Sequence, residues 1–316
     1  MPQFSFSATG VEVVNAFADQ VHNKTILITG PSENGVGAET AISLAHANPM
    51  YIILAGRTEA KVESVIQKIH NLNPSIQVKF VKLDLSYQAS VRRAAALILD
   101  IAEKIDIIIN NAAIMACPWS KTRDGIESQF ATNYLGHFLL TNLLLDKMVK
   151  GGSIRIINTT STGGMGGDIN FDDINYKDGK TYVPVAAYAQ SKAAMMLFSV
   201  ALASRFDPQI VTAFSVHPGI HLHDADTLKS AIEWVTAKTG QFVREEFKTL
   251  QQGCSTTLVA ALDPSIIESS GCYLANAQIA LPQPLGSCTD REVADTLWSI
   301  SEGLVHQEFE WKEQQA

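Results

Sequence analysis

The sequence predicts an α/β fold built on one doubly wound parallel sheet of about seven strands, flanked by helices. Three observations carry this. Short Ile-, Val- and Leu-rich runs alternate with longer segments of helical period at least five times. The runs are nearly continuous in apolar residues, as in strands covered on both faces. A glycine-rich turn stands directly between the first run and the first helical segment. With 316 residues, 46% hydrophobic and 18% charged, one large domain or two small ones could bury an ample core.

Taken in order, strands are predicted over 25–29, 51–54, 78–83, 106–109, 154–158 and 210–216. Helices are predicted between them, over 37–47, 59–71, 88–104, 125–149 and 186–205. No linker or internal repeat interrupts this rhythm. Two long excursions do, over 162–184 and 220–252, and each follows the C-terminal end of a strand, where such sheets build binding sites. We therefore expect a lead-in over 1–23 and one dinucleotide-binding and catalytic domain over 24–280. A substrate lid at about 220–252 belongs to that domain, and 281–316 forms a C-terminal extension.

Composition excludes several functions. The formal charge is −8, which disfavours a nucleic acid or an anionic membrane held by bulk electrostatics. Four widely spaced cysteines contain no Cys-x-x-Cys pair, so neither a zinc ribbon nor a thioredoxin-type couple is expected. The first Lys or Arg is Lys24, so the start lacks the basic n-region of a secretory signal. No run approaches the ~18 apolar residues of a membrane-spanning helix. These features predict a soluble cytoplasmic protein, with peripheral membrane contact allowed.

The glycine-rich turn reads Thr29-Gly30-Pro31-Ser32-Glu33-Asn34-Gly35-Val36-Gly37. Glycines let backbone approach a pyrophosphate, and a helix N-terminus offers unpaired N–H groups and a positive dipole end. The turn lacks Gly-Lys-Ser/Thr, so it is no triphosphate loop, and its spacing differs from Gly-x-Gly-x-x-Gly. Gly30, Ser32, Asn34, Gly35 and Val36 are the candidate cradle of a Rossmann-type sheet. The second strand ends Leu54-Ala55-Gly56-Arg57, with no acidic residue to take an NAD ribose hydroxyl. Arg57 can pair with a 2′-phosphate instead, which selects NADP(H). Glu33 in the loop opposes that choice.

Further motifs follow in order: Asp84-Leu85, Asn110-Asn111-Ala112-Ala113, Asn133-Tyr134-Leu135-Gly136-His137-Phe138, Ile157-Asn158-Thr159-Thr160-Ser161, Tyr188-Ala189-Gln190-Ser191-Lys192 and His217-Pro218-Gly219. With the glycine turn, this series resembles the short-chain dehydrogenase/reductase family, and its retinol-dehydrogenase-like branch most closely. The resemblance covers about 24–280. It implies a catalytic tetrad of Asn133, Ser161, Tyr188 and Lys192. Tyr188 would protonate a carbonyl oxygen or deprotonate an alcohol, and Ser161 would position that oxygen. Lys192 would hold the nicotinamide ribose and lower the Tyr188 pKa, and Asn133 would organise a relay water. It also implies cofactor contacts from Asp84, Leu85, Asn111, Pro218, Gly219 and Ile220, and a homodimer or homotetramer. Departures are a glycine turn one residue longer than usual, Ala113 in place of Gly, Thr160 in place of Ser and His223 in place of a Thr.

Residues i and i+4 share a helix face, so Tyr188 and Lys192 can meet. Tyr176-Lys177-Asp178-Gly179-Lys180 has the same spacing, but its Asp-Gly reads as a turn. Met115, Trp119, Met165, Tyr182, Leu222, Trp234 and Phe242 are candidates for a pocket wall, which favours a bulky apolar substrate. His217, His221 and His223 are read as lining that pocket and not as ligands of a metal. Two functions compete. One is reduction of a hydrophobic ketone or aldehyde with NADPH, on a retinoid-, steroid- or secondary-metabolite-like substrate. The other is a non-redox protein on the same scaffold: a cofactor-bound sensor, a partner-binding module, or a cyclase or eliminase.

Overall fold

Alternate residues of the strands feed two apolar layers, one on each face of a single sheet. The computed structural model describes residues 3–149, 152–219, 229–230, 232–234, 236–237, 247–280 and 287–311. Among these, the strands are β1 (Thr25–Thr29), β2 (Tyr51–Gly56), β3 (Gln77–Lys82), β4 (Ile107–Asn110), β5 (Ile154–Thr159), β6 (Val211–His217), β7 (Tyr273–Ala275) and β8 (Gln278–Ala280). They form an eight-stranded sheet in the order β3-β2-β1-β4-β5-β6-β7-β8. All neighbours pair in parallel except β7 and β8, which are antiparallel. The fold is thus the α/β, doubly wound one expected from sequence. The added hairpin turns on Asn276 and Ala277, both at positive φ (53° and 60°), the geometry of a two-residue hairpin turn.

The helices whose bounds are described are α1 (Gly10–Ala16), α2 (Val36–Leu44), α3 (Glu63–Leu72), α4 (Gln88–Ile101), α5 (Ser128–Phe130), α6 (Gly136–Met148), α7 (Pro184–Arg205), α8 (Leu250–Leu262) and α9 (Arg291–Val305). Ile26 and Ile28 point to the layer with α1, α2, α3 and α8, while Leu27 between them joins the layer with α4, α6, α7 and α9. That is the two-residue period of a strand buried on both sides. The edge strand β3 exposes Gln77, Lys79 and Lys82, a charged rim that discourages pairing with another sheet.

Three expectations change here. The helix expected over 125–149 starts at Ser128 and is interrupted by a π-helical segment, Ala131–Leu135, before α6. The stretch read as a lead-in contains α1, whose Val13 and Val14 are buried against α8. The excursion expected to run to 252 meets α8 from Leu250, and most of its remainder lies outside the described residues. One described helix, α7, is long and apolar enough to cross a membrane, with 22 residues and mean hydropathy 1.3, yet 78% of that window is buried in the protein. Burial on this scale is that of a core helix.

Aromatic rings lock α9 onto the layer of α6 and α7. Phe138 meets Trp298 edge-on at 5.0 Å and Phe309 at 5.8 Å, and Tyr134 meets Phe198 at 6.1 Å. The Tyr134 and Ser301 hydroxyls share a hydrogen bond of 2.7 Å.

Candidate active site

The order of strands reverses at β1, whose two neighbours are β2 and β4. A crevice beyond the C-terminal ends of β1 and β4 is the binding position such a sheet creates. A cleft of about 910 Å³ lies there. It is lined at one end by Gly30, Ser32, Gly35 and Val36, further on by Arg57, Asp84, Leu85 and Asn111, and at the other end by Tyr188, Lys192 and Pro218.

Local chemistry shapes the first end. Gly30 has φ +66, and a Cβ on it would come within 2.7 Å of the Ala112 backbone. Gly35 is the N-cap of α2 and supplies no capping side chain, so the first N–H groups of that helix stay open. Asn111 braces the turn, its side-chain amide donating to the carbonyls of Thr29 (3.0 Å) and Gly30 (3.2 Å). Glu33 is paired with Lys68 at 3.3 Å and does not line the cleft. Lys61 does line it, beside Arg57, and the sequence reading did not single it out. Asp84 uses Oδ1 to accept from the Ser86 N–H (3.0 Å) and hydroxyl (2.6 Å), a local turn.

At the opposite end, α7 presents Tyr188 and Lys192 one turn apart. The Lys192 ammonium lies 5.7 Å from the Tyr188 ring centre and donates to the Thr159 carbonyl at 2.9 Å. Ser161 caps the turn Thr162–Gly166, accepting from the Gly163 N–H at 3.2 Å, and its hydroxyl bonds the Tyr188 phenol. Burial pushes the phenol up to about 12, against the pull of that Ser161 bond. Burial also drives Lys192 down to about 7. Desolvation thus disfavours the charge on both groups.

Asn133 stands apart from the cleft lining. It is fully buried and does not line the cleft. Its side chain clamps the strand-like segment after β4, accepting from the Ile114 N–H (2.8 Å) and donating to the Ile114 carbonyl (2.9 Å) and Ser191 Oγ (2.9 Å). Its carbonyl meets His137 Nδ1 at 2.8 Å. Just upstream, the buried Glu127 carboxylate caps α5 through the Gln129 and Phe130 N–H groups (2.8 and 2.7 Å). Desolvation raises its pKa against those bonds.

The other candidates scatter. Asn34 and Gly219 lie beside the cleft residues in sequence without lining the cleft, and Ile220, Leu222 and Phe242 fall outside the described residues. Met115 and Trp119 are surface residues, 42% and 36% exposed, and do not line the cleft. Met165 packs against the layer of α6 and α7. Tyr182 is a brace whose hydroxyl donates to the Cys117 carbonyl (2.9 Å) and accepts from Gln129 (2.7 Å). Trp234 is half-buried in the helical stretch 232–234. Sequence reasoning quoted His137 and Thr29 within motifs but gave them no role. The signal for His137 was its i+4 spacing from Asn133.

The family model described as short chain dehydrogenase matches residues 24–234. Human retinol dehydrogenase 13 is 37% identical over an alignment of 297 positions that covers 90% of this chain and 85% of that protein. The chloroplastic short-chain dehydrogenase TIC 32 A of Brassica napus is 35% identical, covering 95% of this chain and 93% of its own. A crystal structure of an uncharacterized protein from Mycobacterium paratuberculosis superposes with a TM-score of 0.69 at 32% identity, over 92% of this chain and 96% of that one.

Proposed function

The chain belongs to the short-chain dehydrogenase family, a family of oxidoreductases that use nicotinamide cofactors, and from that premise we propose an NADP(H)-dependent carbonyl reductase. Its substrate is a hydrophobic ketone or aldehyde, retinoid-like by analogy with its relatives. The observation that carries the reading is one cleft with an open helix N-terminus and Arg57 at one end and Tyr188 with Lys192 at the other. The residues fit a dinucleotide: the cradle of Gly30, Ser32, Gly35 and Val36 suits a pyrophosphate, and Arg57 with Lys61 suits a 2′-phosphate. When bound, the cofactor supplies the hydride for reduction.

The protein's own groups do the rest. Tyr188 donates its hydroxyl proton to the substrate oxygen, and Ser161 orients that oxygen by a hydrogen bond. Lys192, poised near neutrality, holds and returns the proton that Tyr188 needs. Asn133 fixes Ile114 and Ser191 around the tyrosine.

The test is NADPH oxidation against a panel of apolar aldehydes and ketones that includes all-trans-retinal, with NADH in parallel. Arg57→Ala should raise the KM for NADPH about tenfold or more and leave that for NADH nearly unchanged. Equal effects on the two cofactors would remove the 2′-phosphate assignment.

A further inference from the structure

We infer that His137 is a positioning residue that couples the nucleotide cradle to the proton-transfer tyrosine, an inference that rests on the functional reading above. His137 sits on α6, fully buried, and touches neither cleft nor solvent. Its Nδ1 lies 2.8 Å from the Asn133 carbonyl, and its Nε2 lies 2.8 Å from Thr29 Oγ1. A carbonyl can only accept, so Nδ1 carries the hydrogen. Burial disfavours the imidazolium and holds the ring's pKa down to about 4, so near neutral pH Nε2 is an acceptor. The Thr29 hydroxyl must then donate to it.

The direction of that donation matters at the cradle. With its proton given to His137, Thr29 Oγ1 has both lone pairs free, and it accepts the N–H groups of Asn111 (3.0 Å) and Ala112 (3.1 Å). Thr29 immediately precedes Gly30, and Asn111 holds the carbonyls of both. One imidazole thus fixes how the end of β1 is knotted to the end of β4, on the floor of the cofactor end.

Its other nitrogen reaches the chemistry. Asn133 lies within the π-helical segment, and its side chain donates to Ser191 Oγ at 2.9 Å. Ser191 Oγ donates in turn to the Tyr188 carbonyl at 2.7 Å. The path runs Thr29, His137, Asn133, Ser191, Tyr188, every link a buried or half-buried hydrogen bond.

The two nitrogens can be separated. An Asn amide reaches roughly the position of Nδ1, and a Gln amide that of Nε2. His137→Asn should keep the Asn133 link and lose the Thr29 link. NADPH affinity, read by cofactor fluorescence titration, should then fall about tenfold while kcat falls far less. His137→Gln should show the reverse, with kcat on the best-turned-over apolar aldehyde down about tenfold and affinity changed far less. Thr29→Val should follow His137→Asn, and Thr29→Ser, which keeps the hydroxyl, should restore most of the affinity. That second pair carries the test if the histidine variants fold poorly. A purely structural histidine would move affinity and kcat together in both variants. That result, no change in either, or Thr29→Val indistinguishable from Thr29→Ser would overturn the proposal. Failure of the wild-type protein to bind NADPH, or full turnover by Tyr188→Phe, would instead remove the functional reading beneath it.

Discussion

Tyr-x-x-x-Lys occurs twice, twelve positions apart, and the two copies fold into opposite objects. Tyr188 and Lys192 lie on a right-handed helix, so four residues bring them to the same face. Tyr176, Lys177, Asp178 and Gly179 instead all have positive φ (54°, 49°, 55° and 88°), a left-handed turn. Such a turn is costly for L-residues and persists through its clasps. Asp173 accepts the Lys177 N–H at 2.7 Å, Lys121 pairs with Asp178, and Gly179 lies against the Trp119 ring. Tyr176 packs edge-on against Tyr182 at 5.4 Å, and its lysine stands exposed. The spacing is identical; backbone handedness decides whether it makes a pair.

The sharpest break in that comparison is chemical. Tyr188→Phe should lower NADPH consumption at least ~10³-fold with cofactor binding retained, because it removes the proposed proton donor to the substrate oxygen. The non-redox alternative requires no such loss.

Next comes stability. Lys192 is a base whose pKa falls from 10.5 to about 7 on folding, so the unfolded chain binds more protons between those values. Stability must rise with pH across that window, and the full cost is carried below about pH 7. Lys192→Met removes the cost. At pH 6 it should be more stable than wild type by ~3 kcal/mol while losing activity, with the gap closing toward pH 10. A less stable variant at pH 6, by thermal melting, contradicts this.

Smaller effects belong to the left-handed turn. Gly179→Ala places a Cβ within 2.6 Å of Trp119 at φ +88. It should cost ~1–3 kcal/mol in denaturant unfolding and leave kcat within about threefold. Tyr176→Phe should be smallest, with activity within about twofold of wild type. A large loss there would mean that the second pair, too, takes part in chemistry.

What could be read ahead of the structure was what depends on neighbours in sequence. β1 was legible because five apolar or β-branched residues stand between polar ends, and the helix pair because its period is local. The β7–β8 hairpin hid behind Asn276-Ala277, which lacks the glycine that usually marks such a turn. In α8, Ser255, Thr256 and Thr257 disguise a buried helix as a polar one. The bracing of the site was illegible for another reason. Asn133 meets Ser191 across 58 positions, and Thr29 meets His137 across 108, distances over which no spacing rule operates. Arg57 lines the cleft because a strand end dictates its place, whereas Met115 and Trp119 lie outside the cleft lining, an apolar side chain carrying no address.

The hydrogen bond between Tyr134 and Ser301 spans 167 positions, and Tyr134 is the residue after Asn133. During synthesis, β1 to β6 and the glycine turn leave the ribosome before the segment that buttresses the π-helical turn. Closure of so distant a contact is a late event in folding. The order of the π-helical turn, and with it the position of Asn133, is thereby tied to the docking of α9.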